Sequence, residues 1–155
     1  MHVHRYERIW MTFGIGMLLV FLTIVLVAAF ADNMNPPSDM MQIDPTKVAS
    51  TPPFERPGLR SLGNGRYEAY YVARIFAFSP NILRVPLGST VTFYVTSPDV
   101  VHGFNIAHTA VNMMVIPGWV NSATHTFRTP GTYLLVCNEY CGIEHQTMFG
   151  SIEVR

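Results

Sequence analysis

The sequence predicts an all-β sandwich or barrel carried behind a single N-terminal transmembrane helix. Three observations lead there. Residues 9–31 form an apolar run without a single charge. From residue 66 onward, short stretches of β-branched and aromatic residues alternate with Pro and Gly turns, the pattern of many short strands. After the apolar run no helical periodicity competes with that pattern. At 155 residues the chain has room for one such domain and little more.

Residues 1–8 read as a short cytoplasmic tail, in which His2 and His4 make a polar end at the membrane interface. The run 9–31 supplies the roughly 20 apolar residues that a membrane-spanning helix needs. Its rival is a cleaved signal peptide, because Ala29-Phe30-Ala31 imitates a small-x-small cleavage site. Signal h-regions run only about 7–15 residues, so a retained anchor is the better reading. Arg5 and Arg8 precede the helix, and Asp32 and Asp39 follow it. The positive-inside bias then puts the N-terminus in the cytoplasm and the remainder outside the cell membrane. Residues 32–65, with Pro36-Pro37, Pro45, Pro52-Pro53 and Pro57-Gly58, read as an extended linker with little regular structure.

The domain proper is expected at 66–155. Residues 67–78 are dense in aromatic and aliphatic side chains, and 82–85 lie between Pro80 and Pro86-Leu87-Gly88. Residues 90–96 alternate as a half-buried strand does. Further short strands are expected near 103–106, 111–115, 123–128, 132–136 and 150–154. The formal net charge is zero, which removes the basic excess that a nucleic-acid surface requires.

The chemistry concentrates in Cys137-Asn-Glu-Tyr-Cys141-Gly-Ile-Glu-His145-Gln-Thr-Met148, with one more candidate ligand, His102, upstream. Thiolate, imidazole and thioether are soft donors and together favour copper over magnesium or calcium. A single blue copper needs one Cys, and a second Cys four residues on invites a second ion with both sulfurs bridging. Two cysteines in an exported domain would ordinarily suggest a disulfide. A Cys137–Cys141 bridge would close a very small loop, which constrains the unfolded chain little, and the neighbouring His and Met favour ligation. The chain shows no nucleophile–base pair and no phosphate-binding loop, so the domain reads as an electron relay.

The pattern resembles the CuA domain of cytochrome c oxidase subunit II, over nearly the whole chain. The pieces that carry the likeness are Ser97-Pro98-Asp99-Val100-Val101-His102-Gly103-Phe104, Ile116-Pro117-Gly118, Thr129-Pro130-Gly131-Thr132-Tyr133, the Cys-to-Met loop, and Met148-Phe149-Gly150-Ser151-Ile152. The short stretch from His102 to Pro117 and the single membrane helix look most like the ba-type (B-family) oxidases. The resemblance implies an all-β Greek-key cupredoxin barrel. It implies two copper ions bridged by Cys137 and Cys141, with His102 and His145 each binding one. Met148 would be a weak ligand on one copper and the Glu139 backbone carbonyl on the other. The implied partners are the haem–copper subunit I, an electron donor (a cytochrome c or small copper protein) and membrane lipid. The implied role is to pass electrons to haem in subunit I for oxygen reduction coupled to proton pumping.

Two rival functions stand beside this one. The same module could serve a copper-containing nitric oxide reductase. A Cys-x3-Cys copper chaperone or thiol oxidoreductase would instead predict a thioredoxin-like βαβ pattern, which the strand-rich sequence opposes. Around the ligands, Asp99 either supports the site or caps the turn after Pro98. Phe76 and Phe78 match aromatic positions near the copper in the family, with core burial as the plainer reading. Trp119 is either a docking residue or ordinary packing, and His108 and His125 match no ligand position. Tyr6-Glu7-Arg8-Ile9-Trp10 resembles the start of ba-type subunit II, where the corresponding glutamate lies at the mouth of a proton pathway; the alternative is a carboxylate solvated at the membrane surface. In many oxidases the side chain matching Glu139 also binds magnesium, a role the B-family pattern puts in doubt.

Overall fold

A computed structural model describes residues 4–31 and 38–155. His2, Asp32, Pro36 and Pro37 lie outside the described residues, as does the side chain of Asp39. The chain divides into two units, residues 1–35 and 36–155.

The first unit carries helix α1, Arg5–Phe30. Its mean hydropathy reaches 2.7 and none of its residues is buried against protein. At about 1.5 Å rise per residue, its 26 residues span about 39 Å, enough to cross a hydrocarbon core of about 30 Å. The two hydroxyls in the run turn back onto the helix, Thr12 to the Arg8 carbonyl and Thr23 to the Leu19 carbonyl. Such internal pairing is what a medium without water demands. Glu7 lies exposed in the first turn.

Among the described residues the second unit has eleven strands: β1 (Ser38–Gln42), β2 (Gly58–Gly63), β3 (Arg66–Arg74), β4 (Ala77–Ser79), β5 (Ile82–Val85), β6 (Thr90–Thr96), β7 (His102–Ile106), β8 (Asn112–Val115), β9 (Trp119–Thr126), β10 (Gly131–Val136) and β11 (Phe149–Val154). They form two sheets, one ordered β1-β9-β6-β3-β2 with β4 paired to β3, the other β5-β11-β10-β7-β8. Most pairs are antiparallel, while β3–β6 and β5–β11 run parallel. The expected strands at 82–85 and 90–96 match β5 and β6. In β6, Val91, Phe93 and Val95 are buried, whereas Thr90 and Thr92 pair their hydroxyls with Thr126 and Thr124 on β9. The main core contains Tyr71, Phe93, Phe104, Phe127, Leu135 and Ile152, all essentially inaccessible.

The described part of the stretch 32–65, residues 38–65, corrects the reading of a linker with little regular structure. Within them β1 pairs with β9, β2 pairs with β3, and a 3-10 turn spans Pro45–Ser50. The physical reason lies in β3. Its Ala69-Tyr70-Tyr71-Val72-Ala73 run is buried at every position, so both faces of that strand need cover. Ala69, Tyr71 and Ala73 face the main core, and Tyr70 and Val72 join a second cluster with Val48, Phe54 and Val120. Val48 and Phe54 come from the supposed linker. Asp44 starts that cover by accepting a hydrogen bond from the Thr46 N–H at 3.0 Å, the usual way of satisfying a helix start. The aromatic and aliphatic stretch 67–78 forms β3 and β4, with a turn at Ile75 and Phe76 that folds β4 back on β3.

Candidate metal centre

Sheet topology brings the two parts of the ligand set together. β10 and β11 are antiparallel neighbours, and the residues joining them are 137–148. On the other side of β10 lies β7, also antiparallel, with Val136 opposite Asn105. The start of β7 therefore stands beside the end of β10. His102 is the first residue of β7 and Cys137 is the first after β10. The loop is closed at its neck by the Cys137 N–H donating to the Met148 carbonyl at 3.2 Å. A single 3-10 turn, His145–Thr147, presents His145.

All six positions singled out in the sequence meet. The two sulfurs of Cys137 and Cys141 are 3.7 Å apart. His102 Nδ1 lies 4.0 Å from the Cys137 sulfur and His145 Nδ1 lies 3.5 Å from the Cys141 sulfur. The Met148 sulfur is 3.7 Å from the Cys141 sulfur, and the Glu139 carbonyl oxygen is 3.2 Å from that of Cys137. For Glu139 it is the main-chain carbonyl, not the carboxylate, that meets the sulfur. The ligand atoms of His102, Cys137 and Cys141 all fall within 4.8 Å of one another. Donors bound at about 2.0–2.3 Å to one tetrahedral ion stand about 3.3–3.8 Å apart; the 3.7, 3.5 and 3.7 Å separations fall in that range and the 4.0 and 3.2 Å ones lie just beyond its ends, so the set is close to the dimensions of a metal site. Chemically it is soft, with two thiols, two imidazoles and a thioether.

The site is sheltered. His102 is wholly buried, Met148 nearly so, and both cysteines are buried. Burial, helped by the neighbouring Cys137 sulfur, pushes the Cys141 thiol up to about 11. Metal entry must therefore displace thiol protons, as thiolate ligation always requires.

Asp99 does both things the sequence left open. Its Oδ1 accepts from His102 Nε2 at 2.8 Å and from the Val100 N–H at 2.7 Å, and its Oδ2 accepts from the Ile75 N–H at 2.9 Å. The Ser97 hydroxyl adds a contact at 2.9 Å. Burial pushes the carboxyl up, but the bonds from His102, Ile75, Val100 and Ser97 outweigh it and hold the acid below its ordinary value. With Nε2–H committed to Asp99, the Nδ1 lone pair of His102 faces the sulfurs, the tautomer a metal needs.

Several contributors were not read from the sequence. The Gly103 N–H donates to the Cys137 sulfur at 3.4 Å, and a Cβ at 103 would collide with Asn138. Asn138 in turn donates to Asn112 on β8 at 3.0 Å. A glycine next to a ligand is the one sequence signal of such close approach. Phe78 is buried and meets Phe104 edge-on at 5.7 Å, the core role expected of it. His108 is exposed and His125 packs on Phe127, both outside the ligand cluster. Trp119 is partly exposed at the start of β9.

Around the ligands the surface mixes exposed polar side chains, Asn138, Glu144 and Gln146 among them, with large apolar ones. Leu134, Tyr140, Ile143 and Phe149 are all about half or more exposed. Leu134 and Phe149 flank an open concavity of about 380 Å³ whose floor includes Cys137, His145 and Met148.

Comparison with known proteins agrees with this geometry. The family model described as cytochrome C oxidase subunit II, periplasmic domain, matches residues 72–154. A cytochrome c oxidase subunit 2 of Thermus thermophilus is 38% identical over 154 residues, 97% of this chain and 92% of the relative. A chain in the cryo-EM structure of a haem–copper terminal oxidase dimer superposes with a TM-score of 0.81 at 33% identity, covering 97% of this chain and 100% of that one. The periplasmic domain of subunit II of the Bradyrhizobium japonicum cytochrome oxidase shares the fold, with a TM-score of 0.53 at 21% identity over 57% of this chain and 83% of that one. That fold is the cupredoxin-like barrel the sequence resemblance implied. The chain belongs to the cytochrome c oxidase subunit II family.

Proposed function

We propose that the chain holds two copper ions through Cys137, Cys141, His102, His145, Met148 and the Glu139 carbonyl, and serves as the electron-entry subunit of a haem–copper terminal oxidase. The observation that carries the reading is the pair of sulfurs 3.7 Å apart with one imidazole Nδ1 near each. When bound, a copper pair of this kind supplies a one-electron carrier. The protein's part is to keep the donors in place whichever way the electron moves. Asp99 fixes the His102 ring, the Cys137–Met148 backbone bond closes the loop, and burial keeps water from the sulfurs.

The electron donor, a cytochrome c or small copper protein, docks on the apolar rim of Leu134, Tyr140, Ile143 and Phe149. The acceptor is haem in a subunit I, where oxygen is reduced with proton pumping. Helix α1 anchors the chain to the cell membrane and lipid, with Arg5 and Arg8 on the cytoplasmic side and the copper domain on the outer side. The single helix, with the short His102–Pro117 stretch, favours the ba-type branch of the family. The nitric oxide reductase alternative is not favoured, since the relatives found are oxidases.

Metal analysis of the intact chain tests the central claim. Two coppers per chain with a mixed-valence electron paramagnetic resonance (EPR) signal are expected. One copper, or zinc in preference under copper-replete conditions, overturns the dinuclear reading.

A further inference from the structure

The turn at Ile75 and Phe76 contributes no ligand, yet it touches both halves of the ligand set. On one side the Ile75 N–H donates to Asp99 Oδ2 at 2.9 Å, and the other oxygen of Asp99 holds His102 at 2.8 Å. On the other side the Phe76 ring lies against Gly142, the residue after Cys141. A Cβ built on Gly142 would stand 2.8 and 2.9 Å from Phe76 Cε1 and Cζ, closer than side chains pack. Gly142 also sets the approach of His145, because its carbonyl accepts the His145 N–H at 3.1 Å. His102 is on β7 and Gly142 is in the β10–β11 loop, so one two-residue turn bears on two separate elements. The turn is itself anchored. Ala73 pairs with Phe78 and Arg74 with Ala77. Phe78 packs into the core against Phe104, two residues beyond His102.

We infer that the Ile75–Phe76 turn is a positioning bracket for the metal centre, setting His102 against the Cys141–His145 half of the loop. The inference rests on the copper reading above. Phe76 is a positioning residue acting through Gly142. Its ring fills the space that a side chain at 142 would take, one reason for glycine at that loop position. A φ of +139° at Gly142 disfavours any side chain there as well, so the two causes must be separated experimentally.

A double-mutant cycle on the full chain, loaded with copper alone, separates them. Copper stoichiometry is recorded first, since failure to bind two ions in the parent chain would defeat the copper reading rather than the bracket. The readouts are the mixed-valence EPR spectrum and copper retention against a Cu(I) chelator. Phe76→Ala is expected to keep two coppers, change the hyperfine pattern and weaken retention about tenfold, the lower end for a residue that orients metal ligands. Gly142→Ala is expected to weaken it too. In the double variant the new methyl has room, so the combined loss should be smaller than the product of the two. Backbone strain at 142 is present in both backgrounds and cancels. Phe76→Leu, which restores apolar bulk, should recover most of the retention. If Phe76→Ala does not fold, Phe76→Val, whose short side chain also frees the space over Gly142, takes its place in the cycle. Unchanged spectra and retention in the truncated Phe76 variant, or losses that simply multiply in the cycle, overturn the bracket.

Discussion

Two segments of this chain look alike in sequence and could hardly differ more in what they do. Residues 38–63 and residues 137–148 both lack hydrophobic periodicity, and both were expected to be irregular. The second is irregular, and it gathers five of the six candidate ligand positions at one end of the sandwich. The first supplies two strands and a 3-10 turn and covers the outer face of β3. A chemical site announces itself because its donors are rare side chains at telling intervals. A packing segment made of ordinary residues does not. Its existence had to be inferred from a need elsewhere: the five consecutive buried residues of β3.

If this contrast is right, damage to the ligand loop should abolish the centre while leaving the fold, and damage to the covering segment should do the reverse. Cys137→Ser and Cys141→Ser are expected to have the largest effect on the centre. Each sulfur lies near the other and near a separate imidazole, so on the proposed dinuclear reading a hydroxyl at either place would remove a ligand shared by both ions. Metal analysis and EPR should show no mixed-valence pair. A Cys141→Ser spectrum matching the parent would refute the bridging role.

The covering segment is probed by truncation. A chain begun at Pro36 keeps β1, β2, Val48 and Phe54, whereas one begun at Arg66 loses them. Burying a side chain of that size stabilises by about 1.5–3 kcal/mol, so the two side chains alone account for about 3–6 kcal/mol, and Tyr70 and Val72 are uncovered as well. Thermal melts of the two should differ by about 10 °C or more. Equal melting temperatures would restore the linker reading.

Asp99→Ala comes next. It strips His102 of its partner and leaves the Ile75 N–H unanswered, so copper retention should fall by about tenfold or more while two coppers still bind at saturation. An unaffected retention would reduce Asp99 to a turn cap. Met148→Leu should be milder. A thioether is a weak axial donor whose loss mainly retunes the potential, so the copper count should hold while the potential shifts. Loss of one copper would show that Met148 is a principal ligand.

How far the sequence reached follows the same division. Five of the six candidate ligand positions carry donor side chains and were legible as local chemistry, whereas the Glu139 carbonyl entered only through the family resemblance; β5 and β6 were legible from proline punctuation and period-2 alternation. Asp99 was visible as a candidate, but not its role in joining Ile75, Val100 and Ser97 to His102. Nor was the fit of Gly103 against Asn138 or of Gly142 against Phe76. Those are contacts between residues 35 and 66 positions apart, and nothing in either local stretch encodes its partner.

The smallest expected effect concerns salt. Outside α1 and the residues before it, the acidic side chains number nine and the basic ones eight, so there is no strong field to steer a charged partner from a distance. Within 137–148 only Glu139 and Glu144 are charged, while the exposed rim offers Leu134, Tyr140, Ile143 and Phe149. Electrostatic steering raises association by about 10- to 1000-fold and fades steeply with ionic strength, whereas apolar contact is nearly indifferent to it. Two carboxylates beside an apolar rim should place this docking below that range. The electron-transfer rate from a cytochrome c should therefore change by less than about tenfold between low and physiological salt. Ile143→Glu, at the most exposed apolar position of the loop, should slow the reaction at both salt concentrations. A rate that collapses with salt, and is untouched by Ile143→Glu, would place docking on charged groups instead of the apolar rim.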